Sequence, residues 1–417
     1  MEGEVTAEIL CIGDELLIGQ TVNTNAAWIG SQLSLIGIRP VRVRTIGDDR
    51  AVILDALRTS LADAVLITGG LGPTKDDITK EALCAFFDTR LVRHADIEAR
   101  IVEFFHTLGR DALEVNRAQA DLPEQCTVIH NLRGTASGMW FERDGRVFVS
   151  MPGVPYEMTA MMEREVLPKL RETLCPPTIV HRTMLTTGLG ESHLAQRIEA
   201  WEDSLPAEGI KLAYLPSPGI VKLRLSRYAD ADATSARARV DRKATELYEL
   251  IPELIYGEGE LRLDEVVGRL LKQRAQTLSL AESCTGGFLA HRITSVPGSS
   301  AYFIGGVVSY ANAVKMAELG IPEDMLELEG AVSRPVVERM ATGVREALRS
   351  DWAIATSGVA GPDGGTPERP VGTVWLAVAG PDGVRSARSV FPGTRTQIIE
   401  RASLAALDML RRRLLAG

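Results

Sequence analysis

Short runs of apolar or alternating residues at positions 7–12, 39–45 and 64–68 are separated by stretches of helical periodicity at 25–35 and 50–60. Runs this short, alternating with amphipathic segments, predict βαβ units on a parallel sheet. The rhythm continues to a Pro-rich stretch at 151–155 and a helix over 156–170, and Cys175-Pro176-Pro177 then breaks it as a linker. From 179 to 256 the pattern changes. A strand (179–187), a helix (191–200), two strands (210–215 and 220–228), a helix (232–250) and a short strand give the β-α-β-β-α-β order of a ferredoxin-like or split βαβ unit. An acidic stretch at 257–265 leads into a third region of strands and helices that closes with a long helix over 396–415. Arg411, Arg412 and Arg413 fall in its last turn, where cations favour the helix dipole, and they read as a solvated helix end.

Length agrees with this division, because 417 residues exceed what one hydrophobic core usually serves. The boundaries fall at 1–173, 174–257 and 258–417: an α/β domain, a small α+β domain and a second α/β domain. Apolar residues at 45% and charged residues at 24% fit a folded chain with a real core in each domain. A net charge of -9 gives no general footprint for a phosphate backbone, so nucleic acid is not expected as a partner. No apolar run reaches membrane-spanning length, and the amino terminus carries Glu2 and Glu4 where a signal peptide would be basic. Five dispersed cysteines without a CxxC pair suit neither a disulfide framework nor a zinc site, and fit a reducing cytoplasm. A homodimer is the default expectation for oligomeric state.

Residues 277–293 carry the most informative chemistry: an apolar strand runs into Ala281-Glu282-Ser283-Cys284-Thr285-Gly286-Gly287 and then a helix. Ser283 is thereby placed at a strand-to-helix turn, where free N–H groups would favour an oxyanion or a phosphate. The plain alternative is that Ser283 and Thr285 only cap the helix. Two further clusters follow strands: Ser309-Tyr310-Ala311-Asn312-Ala313-Val314-Lys315, and Ser357-Gly358-Val359-Ala360-Gly361. In a parallel sheet all three would gather outside the carboxyl ends of the strands, where ligands bind. A serine hydroxyl needs a base, and a lysine with a pKa lowered by burial can serve. Lys315 is the candidate base, with Tyr310 as relay or donor. Gly286, Gly287 or Ser357 would hold the oxyanion, and no metal or other cofactor is called for. Cys284 with His291, seven positions on, is the rival pair, although a buried cysteine is the simpler reading. A short-chain dehydrogenase is excluded by spacing: Lys315 follows Tyr310 by five positions rather than four, and no GxGxxG turn follows the first strand.

In the first domain the strand at 64–68 opens into Gly69-Gly70-Leu71-Gly72-Pro73-Thr74-Lys75-Asp76-Asp77. A glycine-rich turn before a helix suits a phosphate, and neighbouring carboxylates suit a divalent cation bridging its oxygens. The competing view is a tight turn whose acids favour a helix start. Similar turns recur at Gly13-Asp14-Glu15-Leu16-Leu17, Asn23-Thr24-Asn25, Gly47-Asp48-Asp49 and Met151-Pro152-Gly153-Val154-Pro155. Asn23, Asn25, Gly69, Gly70, Gly72, Pro73, Thr74 and Lys75 are the candidate nucleotide-binding residues, and Asp14, Asp48, Asp76 and Asp77 the candidate metal ligands.

The carboxy-terminal segments AESCTGG (281–287), PGSS (297–300), YxNxxK (310–315), GAVS (330–333) and SGVAGPDGG (357–365) resemble the competence/damage-inducible CinA family. Its carboxy-terminal domain is a PncC-type nicotinamide mononucleotide deamidase. The amino-terminal turns are similar to the molybdopterin-binding MoaB/MogA fold and to the CinA amino-terminal domain, for which ADP-ribose pyrophosphatase activity is described. The resemblance implies Ser283 as nucleophile, Lys315 and Tyr310 as its activators, and Ser300 and Ser357 as hydroxyls around the amide. It also implies Arg395 for the nucleotide phosphate. Thr285, Gly286, Gly287, Asn312 and Gly358 complete the expected substrate contacts. The middle domain is similar to a KH unit, but Gly188-Leu189-Gly190-Glu191 is not GxxG and carries an acid, so a spacer or dimerisation role is expected. The chain thus reads as a bifunctional hydrolase of nicotinamide mononucleotide and ADP-ribose, the second activity requiring a divalent metal. A non-catalytic nucleotide- or molybdopterin-binding scaffold is the alternative.

Overall fold

The computed structural model describes residues 5–74, 76–228 and 233–416. Glu2, Glu4 and Lys75, named above, and position 232, where the sequence pattern predicts a helix to begin, lie outside them. The chain forms two compact units: Met1–Val180 with Tyr228–Ala233, and His181–Arg227 with Thr234–Gly417. Among the described residues no helix is long and apolar enough to cross a membrane.

The first unit is built on a six-stranded sheet ordered Ile38–Ile46, Val5–Ile12, Ala64–Thr68, Arg146–Met151, Gly138–Arg143 and Thr127–Ile129. The first four strands pair in parallel and the last two are added antiparallel. Val5–Ile12, second in this order, is covered on both faces: Ala7, Ile9 and Cys11 pack into one core cluster, Leu10 and Ile12 into another. A strand buried on both sides needs an apolar run such as 9–12, and the buried Glu8 before it is paired with Arg44. After the sheet, Pro155–Met161, Met162–Val166 and Leu167–Leu174 follow one another as α, π and α segments, and Cys175 ends them with a left-handed φ of 44°.

The middle segment forms a four-stranded sheet ordered Lys211–Ser217, Ile220–Tyr228, Ile179–Thr187 and Ile255–Glu258, with helices Glu191–Glu202 and Ala233–Leu250. In Ile220–Tyr228 the buried positions Val221, Leu223, Leu225 and Arg227 alternate with less buried ones, the period expected of a one-sided sheet.

The carboxy-terminal sheet is ordered Phe303–Val308, Leu278–Glu282, Trp352–Gly358, Thr373–Gly380 and Gly383–Val390. Its first three strands are parallel and the others antiparallel. One face presents Leu278, Leu280, Ile354, Leu376 and Val378 to helix Arg395–Ala416; the other presents Ala281, Ala353, Ala355, Ala377 and Ala379 to helix Arg334–Leu348. Small alanines on one side and larger residues on the other set how closely each helix seats. The long helix end departs from expectation. Arg411 and Arg413 are buried, and they neutralise Asp408 and Asp382 while donating to the carbonyls of Glu253 and Gly383. Buried guanidiniums need such partners, which a sequence reading of a basic last turn does not reveal.

Candidate active sites at two sheet edges

The three parallel strands bring Ser283, Ser309 and Ser357 to one edge of the carboxy-terminal sheet. Ser283 directly follows Leu278–Glu282 and is half-buried, its N–H donating to the Thr356 carbonyl at 2.9 Å. Lys315, on helix Asn312–Leu319, is 1% exposed. Its Nζ donates to Ser283 Oγ at 3.3 Å, to the Ser309 carbonyl at 2.7 Å and to the Tyr310 carbonyl at 3.3 Å. Burial holds the Lys315 ammonium pKa below the ordinary lysine value, the nearby Cys284 opposing this. A hydroxyl half open to solvent beside an amine whose pKa is lowered by burial is an activated-nucleophile geometry.

Other predicted residues occupy different roles. The Tyr310 phenol is exposed and accepts from Arg395 Nη2 at 2.9 Å, so it is the Tyr310 carbonyl that touches Lys315. Arg395 also donates to the Gly361 carbonyl at 2.8 Å, which fixes a cation at the same edge. Ser357 is buried near the end of strand Trp352–Gly358, its hydroxyl donating to the Ala331 carbonyl at 2.6 Å, with Gly358 following it. Asn312 is exposed at the start of the lysine helix. Thr285 is buried and shares a 2.7 Å hydrogen bond with Thr356.

Three expectations are corrected. Ser300 lies in the turn Ser299–Ala301 before Phe303–Val308, whereas Ser283 follows the parallel strand; within one chain they sit at opposite sheet edges, roughly 16 Å of strand apart. The helix start behind Ser283 is not free for an oxyanion either. Glu282 accepts from the N–H groups of Gly287, Leu289 and Ala290 at 2.8–3.0 Å, and the Gly286 N–H donates to the Ser283 carbonyl at 3.2 Å. Finally, the helix begins only at Phe288, so Cys284 lies in the turn and shares no helix face with His291. Burial pushes the Cys284 thiol up to about 12, which leaves it protonated and a poor nucleophile.

The first unit holds a cavity of about 520 Å³ lined by the predicted glycine-rich turn, Asp48, Asn23, Asn25 and the segment from Pro152 to Pro155. Gly69 has a φ of 104° and a Cβ there would sit 2.0 Å from the Ile12 carbonyl oxygen; a Cβ on Gly72 would meet Asp77 Oδ2 at 2.6 Å. The Gly69 position admits only glycine, because the obstacle there is backbone; at Gly72 the Asp77 side chain would have to move. Gly70, which also has a positive φ, and the exposed Pro73 line the cavity too. Thr74 donates its N–H to Asp77 at 2.9 Å, and Asn23 caps helix Thr24–Leu35 through Ala26. Asp14 offers its N–H to Asp48 at 3.2 Å. Burial lifts the Asp48 carboxyl above its usual range, and Asp14, Glu15 and Asp77 add repulsion, while the Asp14 N–H opposes the rise. Asp76 is exposed on the rim. Among the described residues no three acidic, histidine or cysteine groups form a ready cage for a metal ion.

Gln119 and Glu157 line this cavity from segments the sequence did not connect with it. Asn25 Oδ1 and Gln119 Oε1 are buried acceptors without a hydrogen-bond partner. Glu157 sits in the first turn of a helix that has proline at its start, a pattern that reads only as a helix beginning.

These features define a chain of α/β and α+β domains with a serine–lysine pair at one parallel-sheet edge and an acid- and glycine-lined cavity at another. Family models match in the same order: a probable molybdopterin binding domain over residues 8–172, the damage-inducible protein CinA KH domain over 181–257, and the CinA C-terminal domain over 260–414. A CinA-like protein of Flavobacterium psychrophilum is 45% identical over 413 residues, spanning 98% of each chain, and one of Gemmatimonas aurantiaca is 44% identical over 97% of this chain and 95% of its own. The solved CinA superfamily protein KP700603 of Klebsiella pneumoniae is 33% identical, covers 38% of this chain and 100% of its own, and has a TM-score of 0.36. The chain belongs to the CinA family.

Proposed function

We propose that the carboxy-terminal domain is an amidohydrolase that releases ammonia from the nicotinamide amide of nicotinamide mononucleotide. The observation that carries this reading is the buried Lys315 amine 3.3 Å from the half-buried Ser283 hydroxyl. Neutral Lys315 takes the Ser283 proton as Oγ attacks the carboxamide carbon. The tetrahedral intermediate collapses with loss of ammonia, and water then hydrolyses the acyl-enzyme to the carboxylate. With the Gly286 and Gly287 N–H groups already engaged, the oxyanion needs a different donor at this sheet edge. Arg395 is the cation available at that edge for the nucleotide phosphate.

The amino-terminal cavity is proposed to hydrolyse the pyrophosphate of ADP-ribose with a divalent cation. Magnesium typically takes one or two protein carboxylates plus substrate phosphates, so the absence of a preformed cage is compatible with Asp48 assisted by Asp14 or Asp77. The cation would supply Lewis acidity. The unsatisfied Asn25 and Gln119 oxygens favour a ligand bearing hydrogen-bond donors, such as ribose hydroxyls or a base amine. These two acceptors also suit a second reading, a domain that binds a nucleotide or molybdopterin without cleaving it. Both substrates belong to pyridine-nucleotide salvage, for which a cytoplasmic location is proposed.

The test is incubation of the purified chain with nicotinamide mononucleotide and, separately, with ADP-ribose plus magnesium, with products resolved by chromatography. Nicotinate mononucleotide with ammonia, and AMP with ribose phosphate, are expected. Ammonia release at an undiminished rate by Ser283→Ala would remove Ser283 from the reaction. Binding of ADP-ribose without turnover would favour the non-cleaving reading of the first domain.

A further inference from the structure

The residue before the nucleophile has a side chain that the proposed reaction does not use. Glu282 is the last residue of strand Leu278–Glu282 and is 1% exposed. Its carboxylate turns behind the Ser283 turn. Oε2 accepts from the Gly287 and Leu289 N–H groups, each at 3.0 Å, and Oε1 accepts from Ala290 N–H at 2.8 Å. Charge-assisted bonds of this kind offset the cost of burying a carboxylate, and a single side chain thereby ties the end of the strand to the start of helix Phe288–Thr294. The backbone of the same residue is tied in the other direction. The Glu282 carbonyl accepts from Ser309 N–H at 2.8 Å, and the Ser309 carbonyl accepts Lys315 Nζ at 2.7 Å.

These bonds form a closed circuit: helix start, Glu282 carboxylate, Glu282 carbonyl, Ser309, Lys315, Ser283. The Ser283 turn it encloses contains Gly286 and Gly287, both at positive φ (61° and 95°), and so is a sharp reversal that chain stiffness alone would not hold. We infer that Glu282 is a positioning residue whose carboxylate fixes the Ser283 turn against the lysine-bearing segment and so sets the distance between Ser283 Oγ and Lys315 Nζ. The inference rests on the serine–lysine reading of the site but on neither the identity of the amide nor that of the nucleotide.

The expected penalty follows from geometry. Glutamine is nearly the same size as glutamate but presents an NH2 where one carboxylate oxygen stood, so it faces a backbone N–H with a donor and loses at least one of the three bonds. Misplacing a reacting group by even 1 Å costs on the order of a hundredfold. Aspartate keeps the charge but is one methylene short of the helix start.

The experiment uses the full-length chain and an alkyl fluorophosphonate as probe. In this reaction Ser283 Oγ bonds to phosphorus, fluoride leaves, and the serine proton passes to Lys315. Labelling at Ser283 is followed by mass spectrometry, and thermal midpoints are measured alongside. The unaltered chain is expected to label at Ser283 and Lys315→Met much more slowly. Glu282→Gln is expected to slow labelling by about tenfold or more, and Glu282→Asp by an intermediate amount. Nicotinamide mononucleotide turnover should show the same loss in kcat with KM within about threefold, because positioning acts after binding. Asp408→Ala, which breaks ion pairs with Arg411 and Arg412 toward the far end of the helix that Arg395 begins, serves as a stability control. It should lower the midpoint without slowing labelling.

Glu282→Gln labelling at the wild-type rate in folded protein would overturn the inference. If Glu282→Gln does not fold, a wild-type rate in Glu282→Asp would do the same. No labelling of Ser283 in the unaltered chain would instead dismiss the serine nucleophile itself, and this inference with it. Labelling that depends on Lys315 and Glu282 but comes without ammonia release would uphold the inference and reject only the proposed substrate.

Discussion

At Lys315 two physical effects oppose each other. Burial disfavours the ammonium, yet Nζ donates to two backbone carbonyls and a hydroxyl, which an ammonium does best. Burial wins, and the folded-state pKa lies below the usual lysine value. The consequence for stability has a definite sign. Between the depressed folded value and the ordinary one near 10.5, the unfolded chain binds a proton that the folded chain does not. Stability therefore rises with pH across that window, while at lower pH a constant penalty remains. Lys315→Met should lack this slope, as denaturant melts at several alkaline pH values would show relative to the unaltered chain. The same variant should reduce deamidation by about 10²- to 10⁴-fold, the range for a lost general base. The wild-type rate should climb with pH through the folded Lys315 value. A rate that falls with rising pH over that range would contradict a lysine base.

Single elements show where the sequence could and could not be read. The turn at Ser283 was legible because an apolar strand, two glycines and a helical pattern follow in order; the Lys315 partner was legible because its strand has a similar turn. The role of Glu282 was hidden, since an acid at a strand end gives no sign of which N–H groups it will meet. Tyr310 was assigned by its phenol, whereas its carbonyl is the group in contact with Lys315. Ser300 was grouped with Ser283 by motif, but strand direction separates them, and direction is a property of the sheet. Gly343 offers a sharp test of packing over propensity. Alanine is favoured over glycine in a helix interior by about 1 kcal/mol, but a Cβ at this position would lie 2.2 Å from the Leu319 carbonyl oxygen, a backbone atom that cannot swing aside. Gly343→Ala should thus destabilise by about 1–3 kcal/mol in spite of propensity, measured by urea unfolding. At the far end of the domain, Asp408→Ala leaves the buried Arg411 without its carboxylate and should cost about 3–5 kcal/mol. A change below 1 kcal/mol would show that its carbonyl partners alone suffice.

Over the whole molecule, parallel strands recur in both units, and each candidate site lies where such strands end. Shared architecture does not mean shared chemistry. The carboxy-terminal edge offers a hydroxyl and an amine, the groups that the proposed acyl transfer needs for proton movement. The amino-terminal cavity gathers carboxylates: burial is the main cause of the raised Asp48 pKa, Asp14, Glu15 and Asp77 add repulsion to it, and a divalent cation would relieve that repulsion. The two activities should consequently separate in a single preparation. EDTA treatment should lower ADP-ribose cleavage by at least about tenfold and leave ammonia release unchanged, with magnesium restoring the first. Asp48→Asn should copy the EDTA effect, because it removes the partly buried carboxylate on which Asp14, Glu15 and Asp77 act. Ser283→Ala should do the reverse, abolishing ammonia release while ADP-ribose cleavage continues. If chelation stopped both reactions, or if ADP-ribose were cleaved at full rate in EDTA, the assignment of carboxylates to a cation and of the serine–lysine pair to cation-independent chemistry would fail.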